Sequence, residues 1–211
     1  MALAALRDDP NWTPVGLLTT VTRDFDRVAM HGIRRSVLEA QARALDLPLL
    51  TAEIDWPSSN EAYQQAQADA LQRAAARWPG LHHCAFGDLF LEDVRNYRIA
   101  QLDSLRWEGV FPLWGRNTAE LARQFVRQGY VAHLSCVDTS QLDASHSGRR
   151  FDDALLDAFP AGVDPCGENG EFHTLASAGP AFNTSLRLRA GTSVLRDARF
   201  QYTDFLLDDA C

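Results

Sequence analysis

The sequence predicts an α/β protein: a mostly parallel sheet covered by helices on both faces over residues 1–137, followed by a smaller α+β domain over residues 138–211. Three observations predict it. Up to Val137, short apolar runs of strand length alternate with segments of helical period, the pattern of strand–helix–strand units. Beyond Asp138 the chain changes to short alternating segments between turn signals at Gly179-Pro180 and Gly191-Thr192. The composition, 46% hydrophobic and 23% charged over 211 residues, is that of a globular chain with one good core and room for an addition.

Taken in order, Met1 to Arg7 reads as the end of an apolar helix stopped near Pro10, and Val15 to Val21 as a buried strand. From His31 to Asp46 the apolar residues Ile33, Val37, Ala40, Ala44 and Leu45 recur at helical spacing, and Leu47-Pro48-Leu49-Leu50 leads into a second strand. Ser58, three residues before Glu61, has the capping-box pattern and starts a helix toward Trp78 that Pro79-Gly80 ends. His82 to Phe86 is a third strand, with Gly87-Asp88 at its carboxyl end, where open α/β sheets bind ligands. A helix through Leu91, Val94, Arg95 and Leu102 leads to Val110 to Trp114, and Asn117-Thr118-Ala119-Glu120 is a second capping box. Tyr130 to Val137 is expected as a further parallel strand. A short helix at Phe151 to Phe159 follows, then strands around Ser185 to Arg189 and Phe200 to Phe205.

Charge and composition exclude several classes of function. All twenty basic residues are arginine, which rules out lysine Schiff bases and lysine-dependent phosphate loops within these residues. The net charge of −8, most of it after Val137, argues against a nucleic-acid surface. No apolar run has the ~20 residues of a membrane span, so no membrane partner and a cytoplasmic location are expected. Cys84, Cys136, Cys166 and Cys211 are widely spaced and read as free thiols.

The segment richest in chemistry is Asp164 to Thr174, which places Glu168, Glu171, His173, Cys166 and Thr174 on a backbone loosened by Gly167 and Gly170. The glutamates suit acid, base or cation-binding work, and an imidazole titrates near neutrality. A solvated turn leading into a strand accounts for the same composition. Metal binding by Cys166, Glu168 and His173 is a weak alternative, because no CxxC or HxxxH spacing supports a closed site, and no resident metal is assigned.

Several stretches together resemble the diphthine–ammonia ligase family of ATP pyrophosphatases: Met30-His31-Gly32, Leu47-Pro48-Leu49, Phe86-Gly87-Asp88-Leu89, Phe111-Pro112-Leu113-Trp114-Gly115 and Cys166 to Thr174. They occur in family order over about residues 1 to 182, and the last is the most specific. The resemblance implies a doubly wound nucleotide-binding domain of the adenine nucleotide α-hydrolase type. It implies ATP and Mg²⁺, adenylation of a carboxylate acceptor with release of pyrophosphate, and displacement of AMP by ammonia. The family's known acceptor is the diphthine side chain of elongation factor 2. In such a site Glu168 and Glu171 would bind the amine or Mg²⁺, with His173 orienting them or moving a proton. Gly167, Asn169, Gly170 and Thr174 would shape the acceptor side. Thr19, Thr20 and His31 would face adenine and ribose, and Gly87 and Asp88 would lie near the nucleotide.

Members of the family begin with a strand and a Ser-Gly-Gly-Lys-Asp-Ser phosphate loop, and this sequence starts just after that point of resemblance. The strands Val15 to Val21 and His82 to Phe86 are therefore expected either to close on each other or to stay apart, and catalysis by these residues alone is not expected. A degenerate nucleotide-binding module is the alternative. The acceptor and the oligomeric state, a homo-oligomer included, stay open.

Overall fold

The computed structural model describes residues 1–208. The elements are α1 (Ala2–Asp8), β1 (Leu17–Thr22), β2 (Arg27–Val28), α2 (Arg35–Ala44), β3 (Leu49–Ile54), α3 (Asn60–Arg77), β4 (His83–Ala85) and α4 (Glu92–Asp103). They continue as β5 (Glu108–Val110), α5 (Thr118–Arg127), β6 (Val131–Asp138), α6 (Asp153–Ala158), β7 (Phe172–Ala178), β8 (Leu188–Arg196) and β9 (Phe200–Leu207). This is a mixed α/β chain with several small sheets. It divides into two compact units, one of Met1–Phe25 with Leu47–Arg116 and one of Asp26–Asp46 with the chain from Asn117 onward.

In the first unit β1 pairs in parallel with β3, and β4 pairs in parallel with β5. Among the described residues no ladder joins β1 to β4, so the two pairs stay apart rather than closing on each other. They share one core nonetheless. Leu71 and Ala74 of α3, Leu102 of α4 and Trp107 are buried against Leu18, Leu50, Cys84 and Phe86. The helices begin where local chemistry satisfies their first amides, with one shift from expectation. Ser59, not Ser58, caps α3 by accepting from the Ala62 amide at 3.2 Å. Ser58 instead donates to the Ser59 carbonyl.

The second unit corrects the direction of a strand. The apolar run of β6 was expected as a parallel strand, but it pairs antiparallel with β7 on one side and with β9 on the other. A continuous apolar run reports burial on both faces, which this strand has, and carries no information on direction. Ala132, Leu134 and Val137 pack with Ala122, Phe151, Leu155 and Phe172 into the core of this unit. Asn117 caps α5 through the Glu120 amide at 2.9 Å, as its sequence pattern predicts.

The hairpin of β8 and β9 turns at Asp197 and Ala198, both at positive φ (50° and 51°), with the Arg199 amide donating to the Arg196 carbonyl. Gly191, expected in a turn, lies inside β8 at a register shift; a Cβ there would meet Leu206 at 2.9 Å. The segment ahead of α2 is a tight turn rather than helix, with Met30 and Gly32 at positive φ and the Val28 amide donating to the Ile33 carbonyl. Asp204 of β9 fastens it, accepting from Arg27 at 2.8 Å and from Arg34 at 2.6 and 2.9 Å. No described helix is long and apolar enough to cross a membrane.

Candidate functional site

The Asp164 to Thr174 segment folds into two consecutive turns closed from the inside by its own acids. The Gly167 amide donates to the Asp164 carbonyl, and the Gly170 amide to the Gly167 carbonyl. Asp164 Oδ2 accepts from the amides of Cys166 (3.1 Å) and Glu168 (3.0 Å). Glu171 Oε1 accepts from the Asp164 amide at 2.8 Å and from Asn169 Nδ2 at 3.1 Å. The Asp138 amide then donates to the Glu171 carbonyl, tying the loop to the end of β6. Glu171 is only 2% exposed, so it is no solubilising surface glutamate, and its second oxygen, Oε2, is buried without a hydrogen-bond partner. A buried carboxylate oxygen that accepts nothing from the protein is costly.

Gly167 is required by geometry. Its φ is +71°, and a Cβ would lie 2.8 Å from the Phe172 carbonyl oxygen and 3.1 Å from the Phe172 ring. Gly167→Ala is expected to cost about 3 kcal/mol from left-handed backbone strain plus overpacking, measured as a loss in urea unfolding free energy. Gly170, at φ +84°, meets nothing within 4 Å, so substitution there costs backbone strain alone.

His173, the second residue of β7, lies opposite Cys136 of β6, which lies opposite Tyr202 of β9. Directly opposed residues of antiparallel strands share a face. The turn before α2 covers this row: the His31 ring rests on the His173 ring at 4.5 Å between centroids, and a Cβ on Gly32 would meet Tyr202 Cδ1 at 2.5 Å. Desolvation, helped by the neighbouring His31, lowers His173 to about 4. His31 is also lowered, by desolvation, against a hydrogen bond to the Thr174 backbone carbonyl that raises it. Both rings are neutral at pH 7. Burial pushes the Cys136 thiol up to about 11.

A depressed histidine has a definite linkage sign. The unfolded chain takes up the proton first, so the stabilisation is full above the unfolded value of about 6.5 and is lost as pH falls toward about 4. The expected contribution is on the order of 2 kcal/mol once partial exposure is allowed for. Unfolding measured at pH 7 and pH 5 should show the larger part of that loss in the wild type and a flatter dependence in His173→Gln.

Residues 117–201 match the family model described as the diphthamide synthase C-terminal domain. Over these residues the chain is similar to that family. Compared with the curated proteins, the chain matches none. The match supports a diphthine–ammonia ligase-like relationship and contains the whole glycine-supported loop, β6 and β7.

Within the matched residues, Glu168, Glu171, His173, Gly167, Asn169, Gly170 and Thr174 are gathered in one loop and the start of one strand. His31 precedes the matched residues but lies in the same unit, against His173. The other residues expected near a nucleotide lie in the first unit. Thr19 and Thr20 are half-buried in β1, where Thr20 Oγ1 accepts from Gln67 Nε2 at 2.6 Å. Gly87 is open, since the nearest atom to an added Cβ is 3.9 Å away. The Asp88 carboxylate pairs with Arg98, at 2.8 Å from Nε and 3.2 Å from Nη2. Arg98 also stacks over Phe86, and Arg95 lies over Phe111 and Trp114. A surface cavity of about 490 Å³ opens between α3 and α4, lined by Glu61, Gln64, Tyr97 and Gln101, and none of the predicted residues lines it.

The weak metal alternative does not assemble. Cys166 donates its thiol to the Thr118 carbonyl at 3.3 Å, burial with nearby Asp164 and Glu168 pushes it up to about 12, and among the described residues Cys166, Glu168 and His173 do not converge as a ligand group. Cys84, Cys136 and Cys166 are free, as expected; Cys211 lies outside the described residues. Sequence reasoning missed Asp138. It is buried and accepts from Ser140 N and Oγ, Gln141 Nε2, and Arg199 Nε and Nη2, which together hold its carboxyl far below the usual range. An acid ending an apolar strand, followed by Thr139-Ser140-Gln141, is the only signal the sequence offered.

Proposed function

We propose that the chain serves an ATP-dependent amide-forming reaction of the diphthine–ammonia ligase kind, with the Asp164 to Thr174 loop as the acceptor side and a phosphate loop supplied from outside these residues. The observation that carries this reading is Glu171: inside the family-matched loop a buried carboxylate keeps one oxygen free of protein donors. When bound, ATP supplies activation of a carboxylate with release of pyrophosphate, and ammonia then displaces AMP. Glu171 Oε2 accepts an N–H of the incoming ammonia and sets its direction of approach. Glu168, half-buried with its own amide fixed on Asp164, is the second acid of the loop. His173, neutral and near 4, is too weak a base at pH 7 to be matched to proton removal, so orientation suits it better than proton transfer. Gly167 lets the loop turn tightly against Phe172, and Gly170, with open space beside it, keeps the backbone open to the acceptor, with Asn169 and Thr174 beside it.

The first unit is the nucleotide side of this proposal, with Thr19 and Thr20 on β1 and Gly87 after β4 toward the nucleotide. Mg²⁺ does not fit at Asp88, whose carboxylate is engaged by Arg98, and no step is assigned to it. That same pairing favours a second reading, an adenine-nucleotide-binding module without catalysis. Calorimetry with AMP and an assay of AMP and pyrophosphate formation separate them. The ligase reading expects equal AMP and pyrophosphate from ATP only when ammonium and a carboxylate acceptor, first of all diphthine-bearing elongation factor 2, are both present. AMP binding without turnover would favour the binding module, and cleavage to ADP and phosphate would contradict both.

A further inference from the structure

A second cluster of chemically competent side chains lies in the first unit, at the amino ends of β4 and β5. We infer that His82, His83 and Glu108 bind one divalent transition-metal ion of the zinc class. Their ligand atoms all lie within 4.8 Å of one another, the one such group of His, Cys, Asp or Glu among the described residues. His83 and Glu108 are opposed in the parallel ladder, and His83 Nε2 is 3.4 Å from Glu108 Oε2. Ligands on a tetrahedral zinc with bonds of about 2.0–2.1 Å sit about 3.3 Å apart, so this pair already has the spacing.

His82 supplies an independent argument. In a strand, consecutive side chains point to opposite faces, yet His82 precedes β4 and its ring lies 4.0 Å from that of His83. It is turned there by the bend at Gly80, whose φ is +87°. His82 Nδ1 is 2.7 Å from the Gly80 carbonyl oxygen, and only an N–H can make that bond. The neutral ring therefore carries its lone pair on Nε2. A ligating histidine is commonly oriented in this way, its other nitrogen donating to a backbone carbonyl. On the opposite side, Trp12 packs edge-on to the His83 ring at 4.9 Å, and the Glu108 amide donates to the His82 carbonyl, fixing the three residues to one another.

The chemistry selects the metal. Two imidazoles and one carboxylate suit zinc, nickel or copper rather than Mg²⁺ or Ca²⁺, which take oxygen sets, and three protein ligands leave a position for water. A surface His–Glu ion pair alone would be worth little and would not account for the aligned His82. The cluster is at the opposite ends of β4 and β5 from the Gly87-Asp88 turn, so the ion would brace two three-residue strands rather than meet a nucleotide. The inference is independent of the proposed function.

The test is zinc titration of the chelator-treated, tag-free chain by calorimetry, with melting measured in parallel. One equivalent should bind, and melting should rise by roughly 5 °C or more at a hundredfold excess over Kd. His82→Asn and Glu108→Gln, both at exposed positions that leave the core untouched, should each weaken binding by roughly tenfold or more. Absence of binding, or equal affinity in both variants, would overturn the inference. Cobalt substitution adds an independent readout: absorption without a thiolate charge-transfer band supports the site, and such a band would place the metal on cysteine and overturn it.

Discussion

Glu171→Gln is expected to lower ammonium-dependent amide formation by on the order of a hundredfold while leaving the fold close to wild-type stability. The amide oxygen of glutamine can take over both bonds that Oε1 now accepts, from the Asp164 amide and Asn169. Its NH₂ then replaces the free acceptor Oε2 with a donor. A hydrogen bond to a charged group is worth about 1.5–3 kcal/mol, and losing one in the transition state corresponds to about ten- to a hundredfold in rate. Placing a donor against the ammonia moves the effect to the upper end. Glu171→Ala supplies the contrast: it removes both loop-closing bonds and is expected to cost about 3 kcal/mol of stability as well. Rates and urea unfolding of the two variants separate the roles. A full rate for Glu171→Gln would make Glu171 a loop strut only.

Asp138→Ala is the substitution expected to damage the fold most, by about 3 kcal/mol. Five donors converge on this carboxylate, among them the Ser140 amide and a two-point bond from Arg199. Breaking a buried ion pair typically costs about 3–5 kcal/mol, and the lower end applies because the Arg199 side chain left behind is 53% exposed. Its carboxyl is depressed in the fold, so its stabilisation is full above the unfolded value of about 3.9 and is lost as pH falls below that. Acid unfolding of the wild type should therefore weaken in two stages, first through the His173 window between about 6.5 and 4 and then through Asp138. Asp138→Asn should remove the second stage and keep the first, which denaturant titrations at stepped pH would show.

The sequence carried the local features well because they are written in local chemistry. Asn117 caps its helix, α4 runs where the apolar residues of 91–102 place it, and Gly167 and Gly170 stand where the loop needs positive φ. Other features depend on partners distant in the chain. The antiparallel pairing of β6 is set by β7 and β9, which its own apolar run cannot encode. The single parallel sheet expected from the alternation of elements is instead two parallel pairs, since that alternation fixes neighbours and not ladders. The candidate site was legible in part. Glu168, Glu171 and His173 could be named from one motif, whereas the stacking of His31 on His173 arises only when the turn before α2 is fastened by Asp204, some 170 residues away. The His82, His83 and Glu108 cluster was hidden for a similar reason: a bend and a strand register create it, not a spacing.

The central claim is that the Asp164 to Thr174 loop receives ammonia in an ATP-dependent amidation. The most direct measurement follows isotopically labelled ammonium into the acceptor by mass spectrometry, with AMP quantified in the same reaction and Glu171→Gln run beside the wild type. The account predicts one labelled amide nitrogen for each AMP formed, and a loss of on the order of a hundredfold in labelling with Glu171→Gln. AMP formation without label in the acceptor, or equal labelling by the two proteins, would contradict it.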